Sequence, residues 1–211
     1  MQRTWLALLT GAGLACGGAA ARPAALEPAP RAGSSRASSL DAGLAEDMAR
    51  DQAIPWSPSW RLKWADFKGP PPTSGKEGAR TAHGIYSAWS CRGDAFAFRV
   101  RAAFLPTGSW VKPIVLREGN ESARVLRHEQ AHFDLSEVYA RRLRRRMAAL
   151  PSPCTLKDGE LGALVHQHIE EEKAAQRRYD EETDHSLRTE RQEAWERQVA
   201  RWLAELARYA P

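Results

Sequence analysis

His128-Glu129-Gln130-Ala131-His132 spells H-E-x-x-H inside residues 121–150, whose pattern predicts one long helix. At 3.6 residues per turn, two imidazoles four positions apart share a helix face, one turn from each other, and can hold one metal ion between them. The carboxylate beside the first histidine can then reach a water on that ion. Two histidine ligands and Glu129 as general base make the donor set of zinc-dependent peptide hydrolysis. Two surface histidines on an ordinary helix are the plainer explanation, and the rest of the chain has to decide between them.

The helix has a core face of its own. Leu135, Val138, Tyr139, Leu143, Met147 and Leu150 recur at intervals of three and four, and Arg141, Arg142, Arg144, Arg145 and Arg146 fall to the solvent side. Asn120-Glu121-Ser122 fits a glycosylation sequon, but Asn120 or Ser122 reads better as the helix N-cap. Pro151 and Pro153 end the helix.

Upstream, residues 54–117 have strand texture. Trp60, Leu62 and Trp64 alternate with Arg61 and Lys63, which predicts a half-buried strand. Residues 80–91 predict a second, with Gly84 marking a bulge or a close approach. Arg92-Gly93-Asp94 is a turn. Phe96, Phe98, Val100, Ala102 and Phe104 alternate most cleanly of all. Downstream, residues 158–182 predict a polar helix with His166, His168 and Glu170-Glu171-Glu172. Thr189 with Gln192 resembles a capping box opening a further helix, whose Trp195, Val199, Trp202, Leu206 and Tyr209 form an apolar stripe. The fold class expected is α+β. A small antiparallel sheet from residues 54–117 packs against a helical, zincin-like half, residues 118–211, that carries the motif.

Ahead of this domain, Arg3 precedes a short apolar run, too short to span a membrane and suited to a signal peptide over residues 1–16. Leu14-Ala15-Cys16-Gly17 resembles a lipobox, with Gly13 where Leu, Val or Ile is preferred. A lipid anchor on Cys16 is therefore expected, with cleavage near Ala19-Ala20-Ala21 and free secretion as the alternative. Residues 17–53, rich in Ala, Gly, Ser, Pro and Arg, read as a disordered linker, with a short helix conceivable from Leu40 to Met48. An exported chain tolerates disulfides, so Cys91 and Cys154 are expected to pair.

The chain has 211 residues, 43% hydrophobic and 27% charged, with a net charge of +5, which is globular composition. Its arginines interleave with glutamates, which argues against a nucleic-acid stripe.

A catalytic zinc takes three protein ligands and leaves a fourth position for water. Leu135 and Val138 stand where a metzincin has Gly and His, so the third ligand must come from further on. Tyr179-Asp180-Glu181-Glu182-Thr183-Asp184-His185 concentrates a phenol, carboxylates and an imidazole, although a charged helix surface would look similar. His185 ranks first as the third ligand with His128 and His132, and Asp180 second. Glu181, Glu182, His166 and His168 follow. Tyr179 is a conceivable oxyanion donor.

The residues Leu126 to Leu135, with Glu137 and Tyr139-Ala140-Arg141, resemble a family of bacterial secreted proteins long catalogued as a domain of unknown function and described as predicted zinc-dependent proteases. Leu62 to Pro70, Thr81 to Ile85, Tyr179-Asp180 with Thr183 and His185, and Gln192 with Trp195 fit the same resemblance. Where that family usually has Gly after the last histidine, this chain has Ser186. The resemblance implies a periplasmic or surface location and a zinc peptidase, and supplies no substrate.

The reading is thus an exported zinc metallopeptidase acting on peptide or protein, periplasmic, anchored to the outer membrane or secreted. The alternatives are a non-catalytic envelope module with a vestigial or structural metal site, and a zinc hydrolase of non-peptide amides.

Overall fold

A computed structural model describes residues 32–117, 119–157 and 159–211, with side chains of the first helix described from Ser39 onward. The signal peptide, Cys16 and the start of the expected linker lie outside the described residues.

The fold is α+β. Helix α1 (Ala32–Arg50) leads into short strand β1 (Ile54–Pro55), then β2 (Ala79–Arg80), β3 (His83–Arg92), β4 (Ala95–Phe104) and β5 (Trp110–Val111). Helices α2 (Asn120–Ala148), α3 (Glu160–Thr183) and α4 (Thr189–Glu205) follow. β3 and β4 form an antiparallel hairpin in unbroken register from His83↔Phe104 to Arg92↔Ala95, so Gly84 marks no bulge. β1 adds to the far side of β4, giving the order β1-β4-β3, and β2 pairs with β5 in a separate two-stranded ribbon.

The clean alternation in β4 sorts its two faces. Val100, Ala102 and Phe104 are buried against Phe133, Ala140, Leu143 and Met147 of α2. On the other face Ala103 is fully buried, and Asp41 of α1 pairs with Arg99 and Arg101. Leu44 and Met48 of α1 are buried as well. This corrects the expected linker over residues 32–50: its few large apolar residues are spaced a turn apart, and one stripe is enough to dock a helix on a sheet.

The alternation of Trp60, Leu62 and Trp64 does not build a strand. Trp64–Asp66 is a short 3-10 turn. The Leu62 N–H donates to Gln130 Oε1 at 2.8 Å, and Arg61 and Trp56 both reach Asp134. Trp60 packs edge-on to Phe133, and Trp64 to Phe67. Side chains of α2 thus take the role that a neighbouring strand would have had.

α3 and α4 cover the far side of α2, where Leu135 and Val138 meet Tyr179, Trp195, Val199 and Leu206. With neighbours on several sides, α2 has little solvent face. Arg141 and Arg144 are consequently buried, against the expectation for the arginine run. Both bond the fully buried Glu137, and they also donate to Leu203 O, Val100 O and Tyr209 O, so each buried charge is paired. Neither Asn120 nor Ser122 caps α2: the cap position is Gly119 at φ 137°, and the Ser122 hydroxyl accepts from Trp64 Nε1. Nor does Gln192 close a box; its amide donates to Arg124 O and Glu196.

Cys91 and Cys154 are bonded, tying the end of β3 to the loop after α2 across 63 residues. Closing a loop of that length stabilises by about 4 kcal/mol in the chain-entropy account. No helix among the described residues is long and apolar enough to cross a membrane.

Candidate metal centre

α2 and α3 run antiparallel. His128 meets Asp180, His132 meets Gln176, and Tyr139 meets His168. His128 and His132 lie one turn apart on α2, and Asp180 lies on the last turn of α3. Their ligand atoms converge: His132 Nε2 is 2.9 Å from Asp180 Oδ1, His128 Nε2 is 3.1 Å from the same oxygen, and the two Nε2 atoms are 3.1 Å apart.

This triangle fits a small divalent ion. Tetrahedral zinc with bonds of about 2.1 Å holds its ligand atoms about 3.4 Å apart, a few tenths of an ångström wider. A point about 2.1 Å from all three atoms lies about 1 Å above their plane. Two imidazole nitrogens and a carboxylate are also the donor chemistry zinc takes. Among the described residues, these three form the one group of His, Cys, Asp or Glu whose ligand atoms all lie within 4.8 Å of one another.

His185, ranked ahead of Asp180 from residue chemistry, is not in that group. Its Nδ1 stands 3.6 Å from Asp180 Oδ1, and its side chain is half exposed at the pocket edge. The backbone explains the difference. α3 ends at Thr183, and Asp184, His185 and Ser186 follow at φ 48°, 49° and 76°. This left-handed run takes His185 off the helix face that carries Asp180. It is held by His185 N–H to Asp180 O, Leu187 N–H to Asp184 O and Arg188 N–H to Thr183 O. Ser186 adopts the left-handed turn that a glycine would take more easily, and it is buried. Glu181, Glu182, His166 and His168 do not converge on the triangle either.

A relay of buried groups orients His132. Its Nδ1–H donates to Gln176 Oε1 at 2.7 Å, which leaves Nε2 free to face the triangle. The Gln176 amide nitrogen in turn donates to His132 O and to Glu172 Oε1, fixing which end of the amide is which. His83 Nδ1 stands 3.4 Å from that Glu172 oxygen. Glu172, Gln176 and Asp180 recur every fourth residue, one face of α3, and that spacing is the signal by which the sequence could have yielded them. Tyr179 has a packing place: its ring stacks on His128 with centroids 4.6 Å apart and meets His132 edge-on. It is buried beneath the imidazoles and does not line the pocket, so it is no oxyanion donor.

The electrostatics follow from burial and from Asp180. Burial lowers His128 to about 4 and His83 to about 3. Burial also works against charge on His132, but the hydrogen bond and charge of Asp180, with Glu129 behind, outweigh it and hold this imidazole up at about 9. Burial alone would raise Asp180, yet its hydrogen bonds to both histidines keep it well below the usual carboxylate range. Asp180 thus favours the protonated form at His132, and burial disfavours it at His128. Glu129 is almost wholly buried, its Oε2 has no partner, and burial pushes its carboxyl up.

These groups line a pocket of about 210 Å³, with His128, Glu129, His132, Asp180, His185 and Ser186 on one side and Glu77 to Thr81, around β2, on the other. The Thr81 hydroxyl donates to Glu129 O, pinning the end of β2 to the motif.

Residues 116–186 match a family described as "Bacterial protein of unknown function (DUF922)". The match holds His128, Glu129, His132, Gln176, Asp180 and His185, and leaves the Trp-rich segment, the sheet and α4 outside. No curated protein and no solved structure matches the chain.

Proposed function

We propose that this chain is an exported zinc metallopeptidase, its ion held by His128, His132 and Asp180 and its general base Glu129. The observation that carries the reading is the convergence of three ligand atoms beside a buried carboxylate oxygen with no partner. Zinc, when bound there, would supply a Lewis acid and lower the pKa of water towards neutrality. Glu129 Oε2 accepts the proton of the attacking water and returns it to the departing nitrogen. Its raised pKa suits it to hold that proton between the two transfers. His185, half exposed beside Asp180, would donate an N–H to the substrate oxygen as negative charge develops.

β2 supplies a way to align a peptide. Gly78 O accepts from Lys112 N, so the alternation of an antiparallel pair turns the N–H and C=O of Ala79 to the opposite edge. An extended substrate adding to that edge would lie along the pocket. The Cys91–Cys154 bond supports an oxidising compartment such as the periplasm or cell exterior.

A non-catalytic module with a structural metal is the second reading, and one observation favours it. At 3.6 Å from the Asp180 oxygen, His185 could turn in as a fourth protein ligand and close the site.

The test is hydrolysis of casein-derived peptides by purified protein. Activity should be lost to a chelator and restored by zinc. Glu129→Gln should keep its zinc and lose turnover by at least about a hundredfold. Retained peptidase activity in Glu129→Gln would sink the catalytic reading.

A further inference from the structure

β4 is paired along its whole length on one side only. β3 matches it from His83↔Phe104 to Arg92↔Ala95, whereas β1 reaches only Phe104 and Ala103. The Trp56 N–H adds one bond, to Ala102 O at 2.9 Å. The chain then turns away, because Trp56 and Arg61 are both drawn to Asp134 of α2. In an antiparallel ladder, alternate residues turn their N–H and C=O to the far edge. Here these are the even-numbered ones: Ala102 O receives Trp56 N–H, Val100 O receives Arg144 Nε, and Phe98 O receives Arg99 Nη1. Arg144 also holds Tyr209 O, which closes the edge at Val100. From Ala95 to Arg99 the edge is open. Among the described residues, nothing on that side bonds the N–H of Phe96, the N–H of Phe98 or the Phe96 carbonyl.

A groove of about 790 Å³ runs along this edge, lined by β4 from Ala95 to Arg101, by Asp41 of α1, and by Arg144, Ala148 and Tyr209. It shares no lining residue with the metal pocket, and Arg144 lies about 18 Å further along α2 than His132. The two faces of β4 give the groove two chemistries. On the α2 face, Phe96 and Phe98 are half-buried and stacked, with ring centroids 5.6 Å apart. On the α1 face, Ala95 and Ala97 leave room beside Arg99 and Arg101. These two guanidiniums share one carboxylate, Asp41, at 2.9 and 3.7 Å, so the α1 face carries one cation more than its acid balances. A groove walled on both sides admits a single strand more readily than the edge of a second, equally walled copy.

We infer that the β4 edge is a docking site for an extended polypeptide segment in which apolar and acidic residues alternate. The segment adds to β4 in the antiparallel sense that β1 has, exchanging backbone bonds with Phe96 and Phe98. Residues opposite each other in paired strands share a face, so its apolar side chains rest on Phe96 and Phe98 and its acidic ones meet Arg99 and Arg101. The probe is a fluorescein-labelled peptide, Thr-Val-Glu-Val-Glu-Val-Thr, titrated by anisotropy into the metal-free full chain, so that no hydrolysis intervenes. It should bind at least about tenfold more tightly than the same peptide with lysine for glutamate. Methylating the valine amides, which face β4, should weaken binding at least about tenfold, and methylating the glutamate amides, which face away, less than about threefold. Phe98→Pro deletes one edge donor and spares the β3 ladder. It should bind the peptide at least about tenfold more weakly than Phe98→Ala, which loses the same ring and keeps the donor. Circular dichroism checks both variants, and if Phe98→Pro does not fold, the two methylated peptides decide. Equal binding of those two peptides, preference for the lysine peptide, or no measurable binding overturns the inference. So does a dimer in sedimentation that Phe98→Pro dissolves, which would assign the edge to a second copy.

Discussion

Replacing Gln176 with leucine removes one acceptor and two donor contacts from the buried relay behind His132. The shape is nearly kept, but the His132 Nδ1–H loses its partner at 2.7 Å and Glu172 loses its donor at 2.6 Å. Gln176 is 8% exposed, so water replaces those bonds poorly. Two consequences follow. The metal-free fold should lose about 1–3 kcal/mol through the unpaired buried groups. Zinc should bind about 10–100-fold more weakly, because the imidazole is no longer held with Nε2 towards the triangle. That loss corresponds to about 1.4–2.7 kcal/mol. Competition against a chromophoric chelator at fixed pH measures the affinity, and circular dichroism confirms that the variant is folded. The paired exchange Glu172→Gln with Gln176→Glu keeps a donor and an acceptor between the two positions and should recover most of the affinity. Folded Gln176→Leu with wild-type zinc affinity would refute the relay as the device that orients His132.

Zinc and a proton compete for the same nitrogen of His132, held at about 9, while His128, at about 4, is already neutral at pH 7. Binding near neutrality should therefore release about one proton, and affinity should fall about tenfold per pH unit on acidification from pH 8 to pH 5, levelling off above pH 9. Calorimetry in buffers of different ionisation heat measures this, and zero release at pH 7 would show that His132 is neutral in the metal-free protein. Ser186→Gly should stabilise the fold by about 0.5–1 kcal/mol, since relief at φ 76° exceeds the entropy that glycine costs in the unfolded chain. Thermal unfolding measures it, and a destabilised variant would mean that the buried Ser186 side chain contributes more than its backbone strain takes away.

The motif, the Cys91–Cys154 bond, the β3–β4 hairpin and the three helices after it were legible because each follows from local spacing or from the chemistry of one residue type. The segments of the family resemblance also gather at the site: Leu62 on Gln130, Thr81 on Glu129, and His83 near Glu172. What was not legible depended on three dimensions. Arg141 and Arg144 look like solvent residues until α2 is seen to be enclosed with Glu137 between them. Trp60, Leu62 and Trp64 have strand spacing, but their partners are side chains of a helix. The helix from Ala32 had too few apolar residues to suggest a core, and the sheet needed only Leu44 and Met48. The order of His185 and Asp180 turned on three left-handed residues, and glycine, the strongest signal of such a backbone, is absent from all three.

An open catalytic centre here puts two imidazoles and one carboxylate on the metal. X-ray absorption at the zinc edge of the loaded protein, with and without His185→Ala, tests it most directly. Two imidazoles per zinc, unchanged by the substitution, are expected, with a carboxylate oxygen lost in Asp180→Ala. Three imidazoles together with the Asp180 carboxylate in the wild type, falling to two imidazoles in His185→Ala, would contradict it and make the centre a closed structural one.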